Sequence, residues 1–188
     1  MKKTRRHLLP YARWHAGVLC TSFALFSGCA VGGHHTRDSQ LIQMFYSHET
    51  QFESLLAEVS SDQNLHSLSP RLIHYAGGIY RAQGDGMQLQ RLGLSIERQE
   101  DYRRQLQDLG LAQVTKGGNK VEFRVDNGSL LNGDSYKSIV YVLSAPEGYM
   151  KSSLDGYRIS AQDKGRYGTV QVYRQIKDHW YLYLFVNG

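Results

Sequence analysis

From residue 39 onward the hydrophobic positions recur first with a helical period and then with a strand period. Ile42, Phe45, Phe52, Leu55, Leu56 and Val59 return at three- and four-residue steps, which predicts one amphipathic helix of about 20 residues. Asp38 or Ser39 suits its N-cap, Gln43, Glu49, Glu53 and Glu58 its wet face, and Ser60-Ser61-Asp62 its end. The period is lost between Leu65 and Gly93. Ser69-Pro70 fits a helix start with proline in the first turn, and Gly77-Gly78 interrupts Leu72, Ile73, Tyr75 and Tyr80. A short helix and a loop are predicted there, with a turn at Gly84-Asp85-Gly86. Ser95 opens a second strong helix, buried along Ile96, Tyr102, Leu106 and Leu109, with Glu100 and Arg104 paired one turn apart. Gly110 suits a left-handed C-cap, and Leu111 folds back on the helix.

Beyond Leu111 the period shortens to two. Gln113 to Lys116, a Gly117-Gly118-Asn119 turn and Val121 to Val125 predict a hairpin, followed by a turn at Asp126-Asn127-Gly128. Lys137 to Leu143 predicts another strand, and Tyr149 to Gly165 a long connection. Thr169 to Gln175 and Trp180 to Val186, joined at Lys177-Asp178, are the clearest pair. In the last strand Trp180, Leu182, Leu184 and Val186 face one way, and Tyr181, Tyr183 and Phe185 the other. Both rows are apolar, so this strand is central or covered on both sides. The expected fold class is α+β, with N-terminal amphipathic helices packed on a C-terminal antiparallel sheet of four or five strands.

The first 38 residues follow another logic. Lys2, Lys3, Arg5, Arg6 and Arg13 precede any acidic residue, and Ala16 to Gly28 is apolar or small. Such a core spans roughly 20 Å as helix, short of the ~30 Å hydrocarbon layer, which suits an export signal better than a membrane span. Small Ser27 and Gly28 stand directly before Cys29. The series Phe26-Ser27-Gly28-Cys29 resembles the lipobox of bacterial lipoproteins, with Phe26 where leucine is usual. The resemblance covers this leader alone. It implies cleavage before Cys29, a diacylglycerol thioether on its sulfur and acylation of the new amino group. The chain then divides into a signal peptide (1–28), a lipidated tether (29–38) and one globular domain (39–188). Ala30 follows the cysteine where aspartate would resemble an inner-membrane retention signal, so the expected location is the outer membrane, facing the periplasm. Thr4-Arg5-Arg6-His7-Leu8-Leu9 also resembles a twin-arginine export motif. The downstream layout of helix, hairpin and terminal Trp180-Tyr181-Leu182-Tyr183 resembles proteobacterial envelope lipoproteins of no assigned activity.

Processing changes the charge. The chain carries 22 Lys and Arg against 17 Asp and Glu, and five of the basic residues leave with the leader. The mature domain is formally neutral, so no nucleic-acid partner is expected. Membrane lipid, reached through acylated Cys29, is the expected partner, with an envelope protein or glycan as a further candidate. Cys20 leaves with the leader and Cys29 is alkylated, so neither a disulfide nor a thiol nucleophile remains.

No chemical motif stands out. The eight histidines show no H-x-x-x-H or H-E-x-x-H spacing, and neither a metal nor another cofactor is expected. There is no G-x-S-x-G, and Ser135-Tyr136-Lys137 and Lys151-Ser152-Ser153 lack the flanks of a Ser-Lys catalytic pair. Glu97, Asp101 and Glu122 are nominal acid/base candidates, each more simply a surface charge. The basic strip Arg98, Arg103 and Arg104 suits a solvated helix face, with an acidic partner groove as the alternative. Tyrosines crowd the C-terminal half, where they either fill a small sheet or, at Tyr181 and Tyr183, form an interaction surface. The expected function is a membrane-anchored, non-enzymatic binding or structural domain of the cell envelope. The alternative is an envelope hydrolase with an unrecognised acid/base pair.

Overall fold

The computed structural model describes residues 35–125, 135–157 and 168–187. The chain divides into two compact units. Met1–Val31, with Cys29 and the expected signal peptide, lies outside the described residues. All described residues belong to Gly32–Gly188.

The first helical segment is two helices, α1 (Asp38–Ser47) and α2 (Glu49–Ser61), separated at His48, whose φ of −131° and ψ of 23° leave the helical region. The chain restarts at once, because the Gln51 and Phe52 amides donate to the His48 carbonyl. Periodicity cannot reveal this break. The step from Phe45 to Phe52 is one heptad, and a continuous helix would also put both on one face. Leu41, Phe45, Phe52, Leu55 and Val59 are buried, while Ile42 and Leu56 sit at the margin.

Residues 65–81 correct the expected fold. They form three short strands, β1 (Leu65–Leu68), β2 (Leu72–Tyr75) and β3 (Gly78–Arg81). Ser69 does not start a helix. Its amide donates to the Leu72 carbonyl (2.8 Å) and its hydroxyl accepts from the Leu72 amide (2.9 Å), closing the first hairpin. The second hairpin turns on Ala76 and Gly77, at φ 48° and 78°. Two consecutive left-handed residues are what a tight hairpin turn matched to the strand twist requires.

A short helix α3 (Gly86–Arg91) and helix α4 (Ile96–Asp108) follow. Ser95 caps α4 by accepting from the Arg98 amide (3.2 Å). Gly110, at φ 61°, ends it, with the Gly110 amide on the Gln107 carbonyl and the Leu111 amide on that of Leu106. Arg104 pairs with Asp101 at 2.5 Å rather than with Glu100. The buried face of α4 carries Gln99, Tyr102 and Leu106, whereas Ile96 is exposed.

The remaining strands are β4 (Gln113–Gly117), β5 (Lys120–Arg124), β6 (Ser135–Val142), β7 (Tyr149–Met150), β8 (Thr169–Lys177) and β9 (Trp180–Asn187). Among the described residues the strands form one nine-stranded sheet in the order β3-β2-β1-β4-β5-β6-β9-β8-β7. The sheet is mixed, since β7 runs parallel to β8 while the other pairs are antiparallel. This replaces the expected antiparallel sheet of four or five strands fed by N-terminal helices: helices and strands interleave, and the first hairpins extend the sheet. Strands of four residues hold too few alternations for a period-two signal, which is why they escape a sequence reading.

Side chains of α1, α2 and α4 share one core with the sheet. Its centre is aromatic. Trp180 lies 4.9 Å from Phe45 and 5.5 Å from Phe123 between ring centroids, and Phe52 meets Phe123 edge-on at 5.4 Å. Lys116 on β4 donates to the Val59 and Asp62 carbonyls, satisfying the C-terminal end of α2.

Candidate functional site

Strand alternation divides β5, β6, β9 and β8 between two faces. Trp180, Leu182 and Leu184 are buried in the helix-covered core. The neighbouring residues pair on the opposite face: Tyr181 with Val140 and Gln175, Tyr183 with Ser138 and Tyr173, Phe185 with Tyr136 and Gln171. These residues make a second cluster, with Val140, Val142, Tyr173 and Tyr183 buried and Tyr136, Tyr181 and Phe185 packed around them. Every described member comes from a strand.

Charged residues of β5 lie over this aromatic layer. Lys120 Nζ sits 3.9 Å from the Tyr183 ring centroid, and the Arg124 guanidinium 3.7 Å from that of Tyr136. Between them Glu122 is buried, 3.3 Å from Arg124 and 3.8 Å from Lys120. The Tyr136 hydroxyl donates to Glu122 at a long 3.5 Å. Burial lowers the Lys120 pKa and outweighs the attraction of Glu122, with Arg124 pushing the same way. Burial raises the phenols: Tyr173 to about 12, Tyr136 and Tyr183 upward as well, helped by the Glu122 charge. All three stay protonated at neutral pH and serve as hydrogen-bonding groups. Two polar atoms of this face, Ser138 Oγ and Arg124 Nε, are buried without a hydrogen-bond partner among the described residues.

The face opens into a cavity of about 320 Å³ lined by Asn119, Lys120, Val142, Glu147, Gln171 and Tyr173, with Pro146 at its rim. The 143–148 segment closes down on it so tightly that a Cβ at Gly148 would meet the Gln171 carbonyl at 2.7 Å and the Tyr173 ring at 2.8 Å. The lining is polar and carries both signs of charge, so it suits a small hydrogen-bonding group rather than an apolar one.

No protein-family model matches this chain, and no curated protein or solved structure matches it. The site therefore rests on its own geometry.

The residues singled out from sequence are scattered. Cys29 lies outside the described residues. Tyr183 is 1% exposed and belongs to the second cluster, while Tyr181 beside it is half-buried. Of the carboxylate candidates, Glu97 is exposed and Asp101 is held by Arg104. Glu122 is not a surface charge, because the strand period turns it onto the aromatic face. Arg98 does not stand in a free basic strip: it pairs with Glu58 at 2.8 Å and lies over the Tyr102 ring. Among the described residues no three His, Cys, Asp or Glu side chains converge as a metal site. His35 Nε2 lies 2.9 Å from Ser135 Oγ.

A second polar assembly lies at the start of α1. Asp38, 1% exposed at the first position of α1, receives Lys137 Nζ on Oδ1 (2.8 Å), and Arg174 Nη1 (2.8 Å) and the Leu154 amide (2.7 Å) on Oδ2. Lys137, 2% exposed, also donates to Asp155 at 2.8 Å, and Asp155 in turn accepts from the Asp38 amide. Burial alone would raise the Asp38 pKa, but the bonds from Lys137, Leu154 and Arg174 override it and hold the group at about 2. Two carboxylates and two cations balance, and Asp38 has no proton to give near neutral pH. The signal for this cluster was present: Lys137 alternates with Ile139 and Tyr141 on one face of a strand, and an inward lysine demands a buried partner.

Proposed function

We propose that this chain is a lipid-anchored protein of the bacterial cell envelope, held in the outer membrane through Cys29. Its periplasmic domain binds or positions another envelope component through the aromatic, mixed-charge face of β5, β6, β9 and β8. The observation that carries the anchoring is the uninterrupted series of basic residues, short apolar core, small pair and cysteine in residues 2–29. The binding part is supported by a face with charged residues over tyrosines, two unpartnered buried polar atoms and a cavity at one end. Among the described residues no helix is long and apolar enough to cross a membrane.

Metabolic labelling with an alkyne analogue of palmitate tests the anchor. Label should enter the wild type and not Cys29→Ser, and equal labelling of both sinks the reading. For the face, cross-linking in cells should lose the same envelope partner in Tyr181→Ala and Glu147→Gln while both variants remain folded. An unchanged partner set removes the face from consideration.

One contact favours the hydrolase alternative. The His35 ring nitrogen beside Ser135 Oγ is an arrangement that activates a serine. A fluorophosphonate probe should then label the wild type and not Ser135→Ala. Absence of labelling in the wild type removes this alternative.

A further inference from the structure

At the other end of the sheet the β2–β3 hairpin leaves an unusual surface. Leu72 pairs with Arg81, and His74 with Ile79, so these four share the face turned away from Ile73 and Tyr75, which enter the core. Ile79 is 70% exposed and Leu72 48%. Pro70, Arg71, Leu72, Arg81 and Gln83 line a shallow hollow of about 460 Å³ beside them. Neither the Arg71 nor the Arg81 guanidinium has an ion-pair partner among the described residues. Residues 63–94 contain three arginines and one acidic residue, Asp85, although the mature chain as a whole is neutral. The charge has been segregated, and it is set around exposed aliphatic side chains.

We infer that this edge of the domain lies against the anionic surface of the bilayer. Aliphatic groups flanked by unpaired arginines match the chemistry of the interface, where apolar side chains enter the boundary region and guanidinium groups meet lipid phosphates. A globular partner with an acidic groove would match the arginines, but not the exposed Leu72 and Ile79 beside them on the outermost hairpin of the sheet. The inference rests on the proposed anchor for its geometry. The nine residues from Cys29 to Asp38 reach at most about 30 Å, and α1 begins bonded to Lys137 on β6. Five strand steps separate β6 from β3, about 24 Å at the usual spacing. The hairpin is therefore within reach of the surface that holds the lipid. Docking there would fix the orientation of the domain on the bilayer.

The test uses the mature lipidated protein in vesicles. Ile79→Cys carries a polarity-sensitive fluorophore, Glu97→Cys serves as the control position, and brominated lipids act as quenchers. In vesicles containing phosphatidylglycerol at low salt the label at 79 should be quenched and the label at 97 should not. High salt should reverse the quenching. Arg71→Gln and Arg81→Gln should each reduce the docked population about fivefold. Equal quenching in pure phosphatidylcholine, or none in either vesicle, overturns the inference. A fluorescence change that follows protein concentration instead of lipid charge also overturns it and identifies a second copy on the β3 edge. The anchor is scored separately, by co-flotation with phosphatidylcholine vesicles in high salt. If that fails, anchoring is refuted, and salt-sensitive co-flotation with anionic vesicles still decides the hairpin.

Discussion

The two faces of β9 solve the same problem with different chemistry. On one, Trp180, Leu182 and Leu184 bury against Phe45, Phe52 and Leu55 of the helices, and the aromatic rings tilt into one another. On the other, Tyr183 reaches the same burial among side chains that, within the described residues, all come from strands, with Tyr173 at 5.0 Å and the Lys120 ammonium over its ring. The first face is apolar, with a fully partnered ion cluster at its margin. The second holds a buried carboxylate, desolvated cations and unpartnered polar atoms. An apolar face contributes stability and little chemistry. A face that buries charge and leaves polar atoms unpaired loses stability.

The largest test of this contrast is at the margin of the apolar face. Asp38→Ala should cost about 3–5 kcal/mol in denaturant unfolding, because it leaves Lys137 and Arg174 facing one carboxylate fewer in a buried setting. The same aspartate sets an acid limit. Its folded pKa of about 2 lies below the ordinary 3.8. Its contribution is therefore complete above about pH 4 and is lost as pH falls through 2, amounting to roughly 2 kcal/mol. Asp38→Asn should flatten that slope, and an unchanged acid profile would show that the cluster is not what holds the first helix to the sheet.

Next in size is a direct comparison along one strand. Leu182→Ala should cost about 2–5 kcal/mol through the cavity it opens, whereas Tyr181→Ala, half-buried on the other face, should cost less than about 1 kcal/mol. Equal losses would mean that the second face is as much a structural core as the first. The smallest effect tests what covers the tyrosines. A double-mutant cycle between Lys120→Met and Tyr183→Leu should give a coupling of about 0.5–2 kcal/mol that weakens little in salt, since the ammonium is partly desolvated. No coupling would show that the lysine is held there by Glu122 alone.

Much of the framework could be read from local pattern. Ser95, Gly110 and Leu111 announce α4 because capping is settled within a few residues of chain. The Gly118-Asn119 turn and the rows of β8 and β9 are legible for the same reason. The break at His48 was hidden by a heptad step. The strands of residues 65–81 were hidden because Ser69-Pro70 and Gly77-Gly78 serve hairpin turns as readily as helix ends. Glu122 was visible as a carboxylate, but its burial was not, because only pairing with β6 decides which side chains close over it.

By itself, then, the sequence determined the ends of α4, the turn between β4 and β5 and the alternation of the last strands, all consequences of short-range sterics and hydrogen bonding. Only the tertiary structure decided that nine strands share one sheet, that Asp38 meets Lys137, Asp155 and Arg174 across as many as 136 positions of chain, and that Lys120 and Arg124 cover tyrosines of distant strands. The reason is physical. Burying an ionic or polar group is favourable only when its partner arrives with it, and partners separated by long stretches of chain are brought together by the closing of the whole sheet.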